Sequence, residues 1–186
     1  MSSSLTESVE SGECASIDQD TPQLTSREVR RFAMDLMARR EHSRFELAQK
    51  LKKKCARFLA GSPAAGSDVE GLISQVLDRL GDDQLQSDRR FVESYISYRQ
   101  RAGFGPLKVA AALRERGISD PLARSALQPL DDSWHGIAAR ERRKKFGEDL
   151  PATKQAVARQ QRFLQYRGFS IEHIRSAMRR DTATHA

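Results

Sequence analysis

Two stretches of this chain, LRERGISDPLARSAL from Leu113 to Leu127 and LQYRGFSIEHIRSAM from Leu164 to Met178, align without a gap at an offset of 51 residues. They share Leu, Arg, Gly and Ser, and then Arg-Ser-Ala, in register. Each shared position has a physical reading. Gly117 and Gly168 stand where a helix needs a left-handed residue to end, and Ser119 and Ser170 stand where a hydroxyl can cap the next helix. Ala126 and Ala177 permit close packing. Arg116 and Arg167 fall in a helix's last turn, where a cation stabilises the carbonyl end by about 0.3 to 1 kcal/mol. A third, more diverged copy lies 62 residues upstream of the first, with Leu51, Lys54 and Cys55 aligned on Leu113, Arg116 and Gly117. The Gly/Pro-rich stretch after Cys55 supplies the excess length, so this copy carries an insertion.

Helical periodicity extends outward from these turns. Ser26 reads as an N-cap before Val29, Phe32, Ala33, Leu36 and Met37. Ser43 with Glu46 forms a capping-box pattern for a second helix ending near Lys54. A third helix follows Asp68, and a fourth contains Phe91, Val92, Tyr95 and Ile96 before Gly103-Phe104-Gly105-Pro106 stops it. Pro106 suits the first turn of the next helix. Further helices are expected at 107–116, 120–130, 133–146, 152–167 and 171–180. Sustained strand alternation is missing, and the nine expected helices group in threes. The expectation is an all-α fold of three tandem three-helix repeats forming an elongated, curved body. The divisions are repeat 1 at 26–82 with an inserted loop at about 56–67, repeat 2 at 83–131 and repeat 3 at 132–181, with a C-terminal tail at 182–186. Residues 1–25 read as a disordered acidic tail, with five acids and no Lys or Arg.

The net charge of +7 over 186 residues therefore leaves +12 on the remainder. Eleven bases face four acids from Ser26 to Arg57, and twelve face five from Ser133 onward, whereas the middle is near neutral. Such basic ends favour polyanions or an acidic protein surface. The two cysteines, Cys14 and Cys55, are unpaired by any CxxC spacing and fit a reduced, cytoplasmic protein. Neither a signal peptide nor a membrane span is expected.

The stretch LDRLGDDQLQSDRRFVESYISYRQRAGFGPLKVAAALRERGIS resembles the central unit of RecX proteins. The likeness rests on Leu77 and Leu80, Asp88 before Phe91, Tyr95 and Arg99, Gly103 with Gly105-Pro106, and Leu113 with Gly117-Ile118. Ser43-Arg44-Phe45-Glu46-Leu47 adds a weaker likeness in the first unit. Cys55 departs from the family's helix-ending glycine. The resemblance implies a monomeric, cofactor-free regulator in recombination, DNA repair and the SOS response. Such a protein engages the RecA filament, lowers its ATPase and strand-exchange activities, and touches DNA weakly and without sequence preference.

Chemistry is sparse. Gly103-Phe104-Gly105 lacks the Gly-Lys-Ser/Thr of a phosphate loop. Asp82-Asp83 and Asp131-Asp132 adjoin turns and read as caps. The histidines His42, His135, His173 and His185 are scattered singly, so neither a metal site nor a catalytic constellation is expected. The candidate contact residues are the basic clusters: Arg39, Arg40, Lys52, Lys53, Lys54 and Arg57 at one end, and Arg140, Arg142, Arg143, Lys144, Lys145, Arg159 and Arg162 at the other. Gly103, Gly105, Pro106, Gly117 and Gly168 are expected as structural turns. Trp134 is expected to pack the third repeat. A competing reading is a stand-alone DNA-binding helical module, because short helix pairs joined at Gly117 and Gly168 superficially resemble helix-turn-helix units.

Overall fold

The computed structural model describes residues 24–60 and 68–179. The acidic tail through residue 23, most of the inserted loop and the C-terminal tail lie outside the described residues. Among the described residues there are nine α-helices and no strand: α1 Ser26–Met37, α2 Arg44–Phe58, α3 Val69–Asp82, α4 Asp88–Arg101, α5 Pro106–Arg114, α6 Asp120–Leu127, α7 Asp131–Phe146, α8 Lys154–Arg167 and α9 Ile171–Ala177. They form the three expected three-helix repeats.

Local chemistry sets most ends. Ser43, Asp68, Ser87, Thr153 and Ser170 each accept a hydrogen bond from a first-turn backbone N–H. Gly103, Gly117 and Gly168 turn with φ of 75°, 74° and 88°. Several boundaries differ from expectation. Thr25, rather than Ser26, caps α1, because its hydroxyl reaches Glu28 N. Glu46 closes only half of a capping box at α2, since its carboxylate turns instead to Arg40, His42 and Arg116. The α2 helix runs a turn past Lys54 because Cys55 is fully buried in the first repeat's core and keeps the helix seated. Ser119 makes no side-chain cap, and Pro129 tightens the end of α6 into the 3-10 turn Gln128–Leu130. The α7 helix starts at Asp131, so both aspartates are first-turn residues favoured by the helix dipole.

Two apolar cores result. Val29, Phe32, Leu47, Leu51, Cys55, Ile73, Val76 and Leu80 close the first repeat on itself. Repeats 2 and 3 share the other, where Phe91, Ile96, Leu113, Trp134, Leu164 and Phe169 meet. Trp134 has no exposed surface. Burying each such side chain contributes about 1.5 to 3 kcal/mol.

The repeats join by one device used twice. The carboxyl end of α5 docks on the amino end of α2: Ser43 Oγ donates to Arg116 O at 2.7 Å, and Gly117 leaves no room for a side chain beside Phe45. The carboxyl end of α8 docks on the amino end of α5 in the same way. Gly105 N donates to Arg167 O at 2.8 Å, Leu107 N donates to Gly168 O at 3.0 Å, and Gly168 abuts Lys108. Helices α8, α5 and α2 thus follow one another head to tail, so each carbonyl end meets an amino end of complementary partial charge. The register of the two arginine-glycine turns, visible in the sequence, is the register of these joints.

Candidate functional site

The joints carry cations as well as glycines. At the first, Glu46 lies 3.1 Å from Arg116, 3.3 Å from Arg40 and 3.2 Å from His42. Asp88 of the second repeat accepts from Arg44 N at 2.7 Å and so tops the amino end of α2. His42 is buried, and that desolvation holds its imidazole below the ordinary value despite the Glu46 hydrogen bond. At the second joint, Arg167 donates to Ala102 O and Gly103 O and pairs with the buried Glu141 at 3.3 Å.

Between these joints runs an alternation of cations and rings. Arg116 lies 4.8 Å from the Tyr95 ring centroid, and Arg99 lies 5.5 Å from Tyr95 and 4.0 Å from Phe104. Arg167 lies 5.5 Å from Phe104 and 5.2 Å from Phe163. Lys145 sits over Phe163 at 4.2 Å, and Phe163 packs edge-on against Phe146, which Arg159 approaches at 5.8 Å. A side branch joins Phe104 through Lys108 to Tyr166. Each contact contributes about 0.5 to 1 kcal/mol where exposed and more where desolvated. Collectively they hold positive charge and aromatic faces along one continuous run from the second repeat into the third. Tyr98 and Tyr166 leave 57% and 78% of their surface in solvent, far more than core rings do. At the first joint a cavity of about 450 Å³ opens between Arg40, Glu46, Tyr95, Tyr98, Arg101 and Arg116.

The sequence-derived candidates distribute around this run unevenly. Lys145 and Arg159 belong to it, and Arg40 lines the cavity at its far end. Arg140 reaches Gln100 O and Glu141, tying α7 to α4. Lys144 and Arg162 are exposed on the third repeat. Arg143 pairs with Glu148 at 3.6 Å. Arg142 departs from its expected role: it is buried and donates to Asp149 O at 2.9 Å and Glu148 O at 3.1 Å, so it pins the turn after α7. The Lys52–Arg57 cluster lies elsewhere, on the first repeat. Lys52 pairs with Glu70, and Lys54 pairs with Asp35 and covers Phe32, while Lys53, Arg57 and Arg39 are exposed. Arg116 and Arg167 thus have ring contacts beyond the helix-end role expected of them, and Phe104, Lys108, Phe163 and Tyr166 are absent from the expected contact residues. The available signal was the 51-residue register, which puts Arg116 and Arg167 at equivalent places, each over an aromatic ring.

One grouping suits a metal ion. Asp131, His135 and His173 bring one ligand atom each within 4.8 Å of one another, which the scattered histidines of the sequence did not suggest. Among the described residues no helix is long and apolar enough to cross a membrane.

Comparison with known proteins agrees with the repeat architecture. Residues 87–127 match the family described as RecX, second three-helix domain, and residues 137–178 match RecX, third three-helix domain. Regulatory protein RecX of Pseudomonas fluorescens is 41% identical over 146 residues, which cover 78% of this chain and 86% of that protein. Regulatory protein RecX of Ectopseudomonas mendocina is 38% identical over 151 residues, covering 81% and 93% of the two chains. The crystal structure of RecX from Lactobacillus salivarius superposes with a TM-score of 0.65 at 21% identity, over 82% of this chain and 93% of that one. Identity of this extent, together with the match to two RecX three-helix domains, shows that the chain belongs to the RecX family.

Proposed function

We propose that this chain is a cytoplasmic, non-catalytic negative regulator of the RecA recombinase that binds the RecA–DNA filament as a monomer and lowers its ATPase and strand-exchange activities. The observation that carries this reading is the run of cations and rings from Arg116 to Arg159. DNA in a filament presents phosphates in a regular array, and a repeat body with cations at each joint suits it. Half-buried rings hold those cations in place, so less side-chain entropy is lost on binding than for free lysines. The exposed Tyr98 and Tyr166 add faces on which an unpaired base or a partner side chain can stack.

The test is binding of the labelled chain to RecA assembled on single-stranded DNA, compared with the same DNA bare and with duplex DNA, over a range of salt. Tight binding to the filament with weak, sequence-indifferent binding to either DNA supports the proposal. Preference for one duplex sequence at moderate salt, with no gain from RecA, would establish the stand-alone DNA-binding module instead.

A further inference from the structure

We propose that Asp131, His135 and His173 form a zinc site that ties α7 to α9 within the third repeat, next to its junction with the second. Asp131 and His135 are one turn apart on α7 and therefore share a face. His173 is the third residue of α9, and α7 packs more extensively on α9 than any other helix pair does. The position of Asp131 is fixed from upstream, because the 3-10 turn Gln128–Leu130 runs directly into α7.

The His173 ring presents its Nε2 to Asp131. Its Nδ1 lies 2.7 Å from Ser170 Oγ and accepts from Ser170 N at 3.3 Å, and its Nε2 faces Asp131 Oδ1 at 3.3 Å. Without metal, Nδ1 accepts from Ser170 N and Nε2 carries the ring proton toward Asp131; a metal on Nε2 displaces that proton to Nδ1, which then donates to Ser170 Oγ, an outer partner that fixes the ligating imidazole. His135 packs edge-on against His173 with ring centroids 4.6 Å apart. Its Nδ1 is buried with no hydrogen-bond partner among the described residues. A buried imidazole nitrogen left unpaired is unfavourable, and a second imidazole and a carboxylate beside it are the groups that bind a borderline cation.

The distances suit a small ion after modest side-chain rotation. Ligand atoms around tetrahedral zinc sit about 2.0 to 2.2 Å from the metal, hence roughly 3.3 Å apart. The three atoms here lie within 4.8 Å of one another, and the Asp131–His173 pair is already at 3.3 Å. Two nitrogens and one oxygen leave a fourth position for water. Asp131 is exposed and also lines a cavity of about 410 Å³ between α5, α6 and the start of α7, so solvent reaches the site from its side. The donor set favours zinc, nickel or copper over magnesium or calcium, which prefer all-oxygen shells. The bound ion would tie α7 to α9 within the third repeat, beside the 3-10 turn that links repeats 2 and 3.

The full chain, stripped with a chelator, should be titrated with zinc chloride by calorimetry and melted with and without the ion. One zinc per chain and a melting point raised by several degrees at saturating zinc are expected. Both should persist in a Cys14→Ser, His185→Ala chain. His135→Gln should fold as the wild type does without metal but bind zinc at least roughly tenfold more weakly, and Asp131→Asn should behave alike. Cobalt substitution should give the ligand-field spectrum of a nitrogen and oxygen site without thiolate charge transfer. No zinc bound by the stripped chain, or binding unaltered in both His135→Gln and Asp131→Asn, would overturn the assignment.

Discussion

Replacing Gly105 with alanine adds one methyl group at a position whose backbone, at φ −85° and ψ 167°, is open to any residue. Backbone strain therefore contributes nothing, and the effect must come from what the methyl meets. It would collide with the Gly168 carbonyl and lie 2.5 Å from Phe169 N. These are backbone atoms, which cannot swing aside as a side chain can. The two repeats would have to part, stretching the bonds from Gly105 N to Arg167 O and from Leu107 N to Gly168 O. Overpacking of this kind costs about 1 to 3 kcal/mol, and each weakened backbone bond about 1 kcal/mol. A loss of about 3 kcal/mol corresponds to a melting point lower by about 6 to 12 °C in a chain of this length. Gly136→Ala makes the same chemical change inside α7, where the methyl would meet nothing within 4 Å. It should stabilise by about 0.5 to 1 kcal/mol through helix propensity alone. Circular dichroism follows all helices, while fluorescence of the single tryptophan, Trp134, follows the core shared by repeats 2 and 3. Gly105→Ala melting at or above the wild type, with Gly136→Ala stabilised as expected, would refute the glycine joint.

Other consequences follow from buried charges. Arg142→Met should destabilise by about 2 kcal/mol in urea denaturation, because the carbonyls of Glu148 and Asp149 lose their donor, whereas Lys144→Met on the exposed face should stay within about 0.5 kcal/mol. Arg167→Met leaves Glu141, 5% exposed, with Arg140 as its remaining ion-pair partner among the described residues, and should cost about 3 kcal/mol. The double variant with Glu141→Gln should recover much of that loss, and a double-mutant cycle showing no coupling would contradict the pairing. The His42 imidazole sits below its unfolded value, so the unfolded chain binds a proton first as pH falls past about 6.5. Stability should then decline with falling pH by at most about 1.4 kcal/mol per unit from this group. The decline should be shallower in His42→Gln between about pH 5 and 7 when followed by urea unfolding.

The fold was legible wherever one residue type has one local purpose. Gly117 and Gly168 took the left-handed turns assigned to them, Ser43 and Ser170 capped helices, and Pro106 opened one. Boundaries failed where tertiary packing outweighed local signals, as at Cys55, whose burial carries α2 onward. The same burial pushes the Cys55 thiol up, toward the unreactive neutral form. The candidate site was legible only as charge density. A run of bases does not reveal which side chain turns inward, and Arg142 lies buried between the exposed Arg140 and Lys144. The cation and ring contacts join residues far apart in the chain, such as Phe104 and Arg167, so they depend on how repeats dock rather than on spacing within one helix. The same is true of His135 and His173, which meet only because α9 folds back on α7.

The most direct test of filament regulation is the single-stranded-DNA-dependent ATPase rate of RecA, titrated with this chain from well below equimolar. A variant with Lys144→Glu, Lys145→Glu, Arg159→Glu and Arg162→Glu, which leaves the buried Arg142 intact, should be titrated in parallel. The expected result is inhibition at substoichiometric levels by the wild type and at least roughly tenfold more variant for the same effect, with circular dichroism unchanged. An ATPase rate unaffected by saturating wild-type chain would contradict it.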